Sequence, residues 1–141
     1  MKTRFTPLIK VKKEMMDRCE RDLQKANQAL HNAKSALHEA YHELEKAQTP
    51  ESGSMIQFKN SRMLISAQRE IIKEKQEWLN FASKQVEGAK QALKTAMVDY
   101  EKFKYLEAEQ IKKTLQEQRR KEQRELDEVA IQTFGRMEGS A

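Results

Sequence analysis

The sequence predicts an all-α protein: an elongated antiparallel two-helix coiled coil, an αα-hairpin whose second helix overhangs the first. Three observations carry this. The residues Leu23, Ala26, Leu30, Ala33, Leu37, Ala40, Leu44 and Ala47 alternate spacings of three and four, one line leucine and the other alanine. A second seam of the same period runs through Phe58, Ile65, Ile72, Leu79, Val86, Leu93 and Tyr100. Between the two stands the clearest breaker in the chain, Gln48-Thr49-Pro50-Glu51-Ser52-Gly53-Ser54. A helix turns every 3.6 residues or so, so a strict heptad repeat lays down a narrow, slowly drifting apolar stripe, which buries best by winding around a matching helix. Composition agrees. Of 141 residues 35% are charged and only 6% aromatic, with four glycines and two prolines, which suits long helices with thin seams better than one globular core.

Residues 1–6 form a short basic lead. Thr6-Pro7 reads as a helix start, because Thr caps free N–H groups and Pro at the first helical position loses no hydrogen bond. The first helix is expected over 7–48, roughly 60 Å long. Extended backward by sevens, its seam meets Met16 and Ile9 on one line and Cys19, Lys12 and Phe5 on the other; only Lys12 is wrong for burial. Leu8, Met15, Ala29 and Ala36 flank the stripe and are expected to widen it.

The loop is expected over 49–54. Pro50 disfavours helix in the residue before it, and Gly53 relaxes the backbone. Ser54 with Gln57 three residues later makes a capping-box start. So short a connection turns the helices back on each other. The second helix is expected over 55–134, with Ser61, Gln68, Lys75, Ala82, Ala89, Ala96 and Phe103 as its companion line. Pairing outward from the loop sets Leu44 near Phe58, Leu30 near Ile72 and Ile9 near Leu93. Past Phe103 the heptad positions fall on Glu107 and Gln110, whereas the apolar residues are Ala108, Ile111 and Leu115, so a slip of register is expected there. Residues from about 104 to 134 have no expected partner in the chain. Gly135 reads as a stop, with 135–141 as a flexible tail.

Net charge is +5 with a pI of about 9.3, which admits nucleic acid, an anionic membrane or an acidic protein as partner. No apolar run approaches the roughly 18 residues of a membrane span, and Met1 to Lys13 lacks the apolar stretch of a secretory leader. A single cysteine excludes an internal disulfide and points to a reducing, cytosolic compartment. No Gly-rich phosphate loop, CxxC, HExxH or GxSxG occurs, so neither catalytic residues nor a cofactor is expected. His38 and His42 share a helical face, but a zinc site wants three or four ligands, and the pair reads as surface histidines rather than a metal site. Cys19, on the small-residue line, reads as a buried small hydrophobe.

Two features point to partners. Leu64, Ala67, Ile71, Trp78 and Phe81 run beside the second seam, interrupted by Glu74. The spacing favours a widened hairpin interface; the alternative is a docking surface, since Trp is enriched where binding energy concentrates. The unpartnered stretch carries Lys112, Lys113, Arg119, Arg120, Lys121 and Arg124, a basic surplus that suits an acidic collar. Nucleic acid is the weaker match, because aromatics are not interleaved with the cations and no basic zipper follows.

Over nearly its whole length the chain resembles the flagellar export protein family FliJ. The resemblance lies in the size, the two-helix layout, the loop near residue 50, the opening Phe5-Thr6-Pro7-Leu8, and the ending Arg119-Arg120-Lys121-Glu122-Gln123-Arg124-Glu125-Leu126-Asp127-Glu128-Val129-Ala130. It implies a non-enzymatic coiled-coil stalk, set in the central hole of the hexameric ATPase of the flagellar type III export apparatus. It further implies contact with the export gate in the membrane, binding of empty export chaperones, and a cytoplasmic location peripheral to the inner membrane at the flagellar base. The family's gate-docking pattern is aromatic, Leu, Ala, His at spacings of four, three and four. Leu64 and Ala67 match it, while Asn60 stands for the aromatic and Ile71 for the histidine. The Leu64–Phe81 stripe falls where the family has this patch, so gate contact is expected there, and Lys112, Lys113, Arg119, Arg120, Lys121 and Arg124 are expected to meet acidic residues of the ring. The reading from a different class is a basic coiled-coil protein that binds nucleic acid or anionic membrane.

Overall fold

The leucine and alanine lines of the first seam and the heptad lines of the second end up as predicted, on the inner faces of two long helices. In the computed structural model, which describes residues 2–47 and 53–139, helix α1 spans Thr6–Lys46 and helix α2 spans Met55–Gly139. The described residues contain no strand. The fold is an all-α helical hairpin coiled coil. Every heptad position of α1 from Ile9 to Leu44 is buried or half-buried, and so is every one in α2 from Phe58 to Phe103. Among the described residues the buried core is small: Ala33, Ala40, Ala82, Val86 and Ala96. Small residues there let the two backbones approach, and the larger leucines and isoleucines lie half-buried at the edges of the seam.

The helix starts differ in how far they follow expectation. At α2, Ser54 Oγ accepts from Gln57 N–H at 3.3 Å and Ser54 N–H donates to Gln57 Oε1 at 3.1 Å, the reciprocal capping box. Gly53 before it has φ +155°, a conformation that favours glycine. At α1, Thr6 is not the cap but the first helical residue, and Phe5 C=O accepts the N–H of Ile9 at 2.8 Å. Thr3 and Thr6 instead close a turn of their own: Thr3 N–H donates to Thr6 Oγ1 at 2.9 Å, and Thr3 Oγ1 accepts from Phe5 N–H at 3.1 Å. The breaker residues Gln48 to Ser52, and Ser140 and Ala141 of the expected tail, lie outside the described residues. Gly135 does not stop α2, which continues to Gly139; a single glycine in a helix costs only about 1 kcal/mol.

The molecule divides into two compact units, Met15–Met97 and the termini Met1–Glu14 with Val98–Ala141. Within the first, Gln68 Nε2 donates to the main-chain oxygen of Ala40 at 2.8 Å, so the polar residue in the second seam has a partner on α1. Within the second, the Phe5 and Phe103 rings stand 6.4 Å apart, and Lys12 Nζ lies 3.8 Å from Asp99 and 5.6 Å over the Phe103 ring. The misplaced lysine of the seam therefore has both a counter-charge and an aromatic face.

These contacts correct the expected register. Pairing Leu44 with Phe58 would bring Ala40 beside Arg62, and pairing Ile9 with Leu93 would bring Phe5 beside Met97. Gln68 and Phe103 occupy those places instead, each close to one heptad further along α2. The expected slip past Phe103 is corrected too. Glu107, Gln110 and Thr114 continue the heptad line half-buried, with Leu106 and Ile111 beside them, while Ala108 and Leu115 face solvent. The stretch 104–114 is thus not bare: the N-terminal turn lies against it. The flanks of the first seam were also expected to be covered; only Ala36 is, and Leu8, Met15 and Ala29 are exposed.

Candidate functional site: two uncovered faces of helix α2

Both candidate surfaces lie on α2. The first belongs to the unit Met15–Met97. A helix paired with one neighbour buries one narrow stripe, and residues a place or more off that stripe turn outward. Leu64, Ala67, Ile71, Trp78 and Phe81 all do so: Leu64 is 65% exposed, Phe81 60% and Trp78 40%. The expectation that they widen the hairpin interface is therefore corrected. Ile71 borders a groove with Ala36 on the flank of α1, yet it stays exposed like the other four. Lys75 Nζ lies 5.6 Å over the Trp78 ring, a cation on the edge of an apolar strip.

The second surface belongs to the unit built from the termini. Every residue from Leu115 to Met137 is exposed, including Leu126, Val129, Ile131, Phe134 and Met137. Lys112, Lys113, Arg119, Arg120, Lys121 and Arg124 are exposed as well, and among the described residues none of the six forms an ion pair. Arg124 Nε donates to the main-chain oxygen of Arg120 at 3.4 Å, which lays its guanidinium back along the helix. Glutamates are interspersed in sequence, yet the cations remain available to an external partner.

The structure adds a residue that sequence reasoning missed. Thr6 Oγ1 donates to Glu107 Oε2 at 2.7 Å and Thr3 Oγ1 to the same oxygen at 2.9 Å. These bonds, Thr6 first and Thr3 second, hold the Glu107 carboxyl below its ordinary pKa. They also anchor the N-terminal turn on α2. Arg4 then borders an open groove with Phe5, Leu106, Gln110, Lys112 and Lys113, so a cation from the chain start joins those of α2. A register one heptad further along would have revealed it.

Among the described residues no three of His, Cys, Asp and Glu gather as metal ligands, and His38 and His42 are both exposed. Among them, too, no helix is long and apolar enough to cross a membrane. Cys19 is a free thiol, half-buried in the seam.

Neither the curated proteins nor the solved structures contain a match to the chain. A family model described as flagellar FliJ protein matches residues 1–139, the whole hairpin and both uncovered faces. With that match and this fold, the chain belongs to the flagellar FliJ protein family, a coiled-coil component of flagellar protein export.

Proposed function

We propose that the chain is a non-catalytic stalk and adaptor of the flagellar type III export apparatus. It inserts into the hexameric export ATPase and links that ring to the membrane export gate and to export chaperones. The reading is supported chiefly by one observation: from Leu115 to Met137, α2 stands with every side chain exposed. A helix gains most of its stability in proteins from packing, so a long exposed stretch such as residues 115–134 is suited to covering by an external partner. The exposed cations from Lys112 to Arg124 fit a ring lined with carboxylates, and association would be steered electrostatically. The Leu64–Phe81 stripe fits the gate contact, with an apolar centre around Trp78. No cofactor takes part. The protein works in the cytoplasm, held at the inner membrane through its partners alone.

Charge reversal of Arg119, Arg120 and Arg124 together is the test for the ring. Stimulation of the purified ATPase should weaken and what remains should depend less on salt. Undiminished stimulation would end the assignment. For the gate, Leu64→Asp with Trp78→Ala should abolish binding with helicity intact by circular dichroism.

A further inference from the structure

From Gly53 to Arg69 the chain has no aspartate or glutamate. This is the start of α2, whose first turn is likewise without an acid. A helix N-terminus carries a partial positive charge that carboxylates stabilise and cations do not. Here it is followed instead by Lys59, Arg62 and Arg69. Such a local disagreement between charge and helix end tends to mark a place kept for binding rather than for stability.

The cations are also aligned. Met55, Lys59, Arg62, Ser66, Arg69 and Lys73 follow spacings of four, three, four, three and four, the arithmetic of the seam itself, and all six are exposed. They form one line along the solvent side of α2. None of the four cations has an ion-pair partner among the described residues. Along the first three turns of α2 lie exposed apolar side chains, Met55 at 81%, Ile56 at 70% and Met63 at 64%. Met55, Phe58, Lys59 and Arg62 line a shallow groove there. Methionine adapts its shape to varied partners.

We propose that this row docks an acidic amphipathic helix of a partner protein. The helix lies along α2, with carboxylates against Lys59, Arg62, Arg69 and Lys73 and apolar side chains against Met55, Ile56 and Met63. Spacings of three and four on α2 match carboxylates at the same spacings on the incoming helix, the geometry by which coiled-coil flanks choose their partners. An anionic membrane would meet the same cations, but Glu70 stands seven residues beyond Met63 on the same side. Lipid would desolvate that carboxylate, whereas a helix can set a cation against it. The proposal does not rest on the stalk reading, on the Leu64–Phe81 stripe or on the cations past Lys112.

The test places a photoreactive benzoylphenylalanine at Met55 or at Met63 in the full-length chain, in its source cells, and sequences the crosslinked peptide. The expected product is a protein segment with carboxylates three and four apart on one helical face. Lys59→Glu, Arg62→Glu and Arg69→Glu together should lower its yield at least tenfold, and carboxylate-to-lysine changes in the captured segment should restore it. Should the triple variant lose helicity, Lys59→Gln with Arg62→Gln should still lower the yield at least threefold. Adducts to lipid, to a basic or uncharged segment or to a second copy of this chain would overturn the proposal. So would the absence of any adduct, or a yield that ignores the charge changes.

Discussion

Val86 and Phe81 make a decisive pair. Val86 is 4% exposed and, among the described residues, is the one branched side chain in the buried core, whereas Phe81, five residues earlier on the same helix, is 60% exposed. Val86→Ala removes two buried methyl groups, about 1.6 kcal/mol of transfer free energy at about 0.8 each. The void left adds up to about 1 kcal/mol, depending on how far the helices close upon it. Alanine's better helix propensity returns about 0.5 kcal/mol. The net loss should be about 2 kcal/mol. Phe81→Ala removes the larger side chain, yet should change stability by no more than about 0.5 kcal/mol. In a helix the backbone is already covered, so 60% exposure leaves most of the ring in water. Urea denaturation followed by circular dichroism at 222 nm measures both. If Phe81→Ala proves the more destabilising of the two, the stripe from Leu64 to Phe81 is core. The seam would then be wrongly placed, and its use as a docking face would fail with it.

Glu107 should make stability depend on acid. Its carboxylate holds its proton less tightly in the folded chain than in the unfolded one, so the unfolded state binds more protons as pH falls. The stabilisation is therefore complete above the ordinary glutamate pKa and is lost as pH drops through the lower, folded value. Glu107→Gln should flatten the acid limb of a stability–pH curve, and an unchanged limb would show that the Thr3 and Thr6 hydroxyls do not hold the carboxylate. Lys12→Glu sets a carboxylate near Asp99 and empties the position over the Phe103 ring, and should cost about 1 kcal/mol by chemical denaturation. Gly88 faces open space, so Gly88→Ala should raise stability by about 1 kcal/mol, read from the urea midpoint. Gly53→Ala should lower it by at least about 1 kcal/mol, because φ is positive there and the added carbon would run into the Gln57 side chain that completes the cap.

Which residues form the interface was legible in the sequence; which residue faces which was not. The heptad lines from Ile9 to Leu44 and from Phe58 to Phe103 are the ones that turn inward. A seven-residue repeat, however, looks the same after a shift of seven, so apolar pattern alone leaves the register degenerate. Its polar exceptions resolve it. Lys12 meets Asp99, Gln68 meets the Ala40 carbonyl, and Glu107 meets Thr3 and Thr6. In sequence these residues read as flaws in the seam, because their partners lie on the other helix and no local rule names them. The candidate surfaces were legible in part for the same reason. The cations past Lys112 stand out in the sequence, whereas Arg4 joins them only through the turn that Glu107 anchors. The exposure of Trp78 and Phe81 depends on how wide a stripe one partner helix can cover, and that is a property of the pair.

That the described residues bury a core of four alanines and a valine has a calorimetric consequence. Unfolding so thin an interface newly wets little apolar surface for each residue released, and apolar wetting is what gives unfolding its large heat capacity. The chain should accordingly have a low heat-capacity increment for its length and a broad, shallow curve of stability against temperature. Cooling then removes little of what holds the helices together. A hairpin built on alanine keeps its grip in the cold, where a protein with a bulky core loses more of its own.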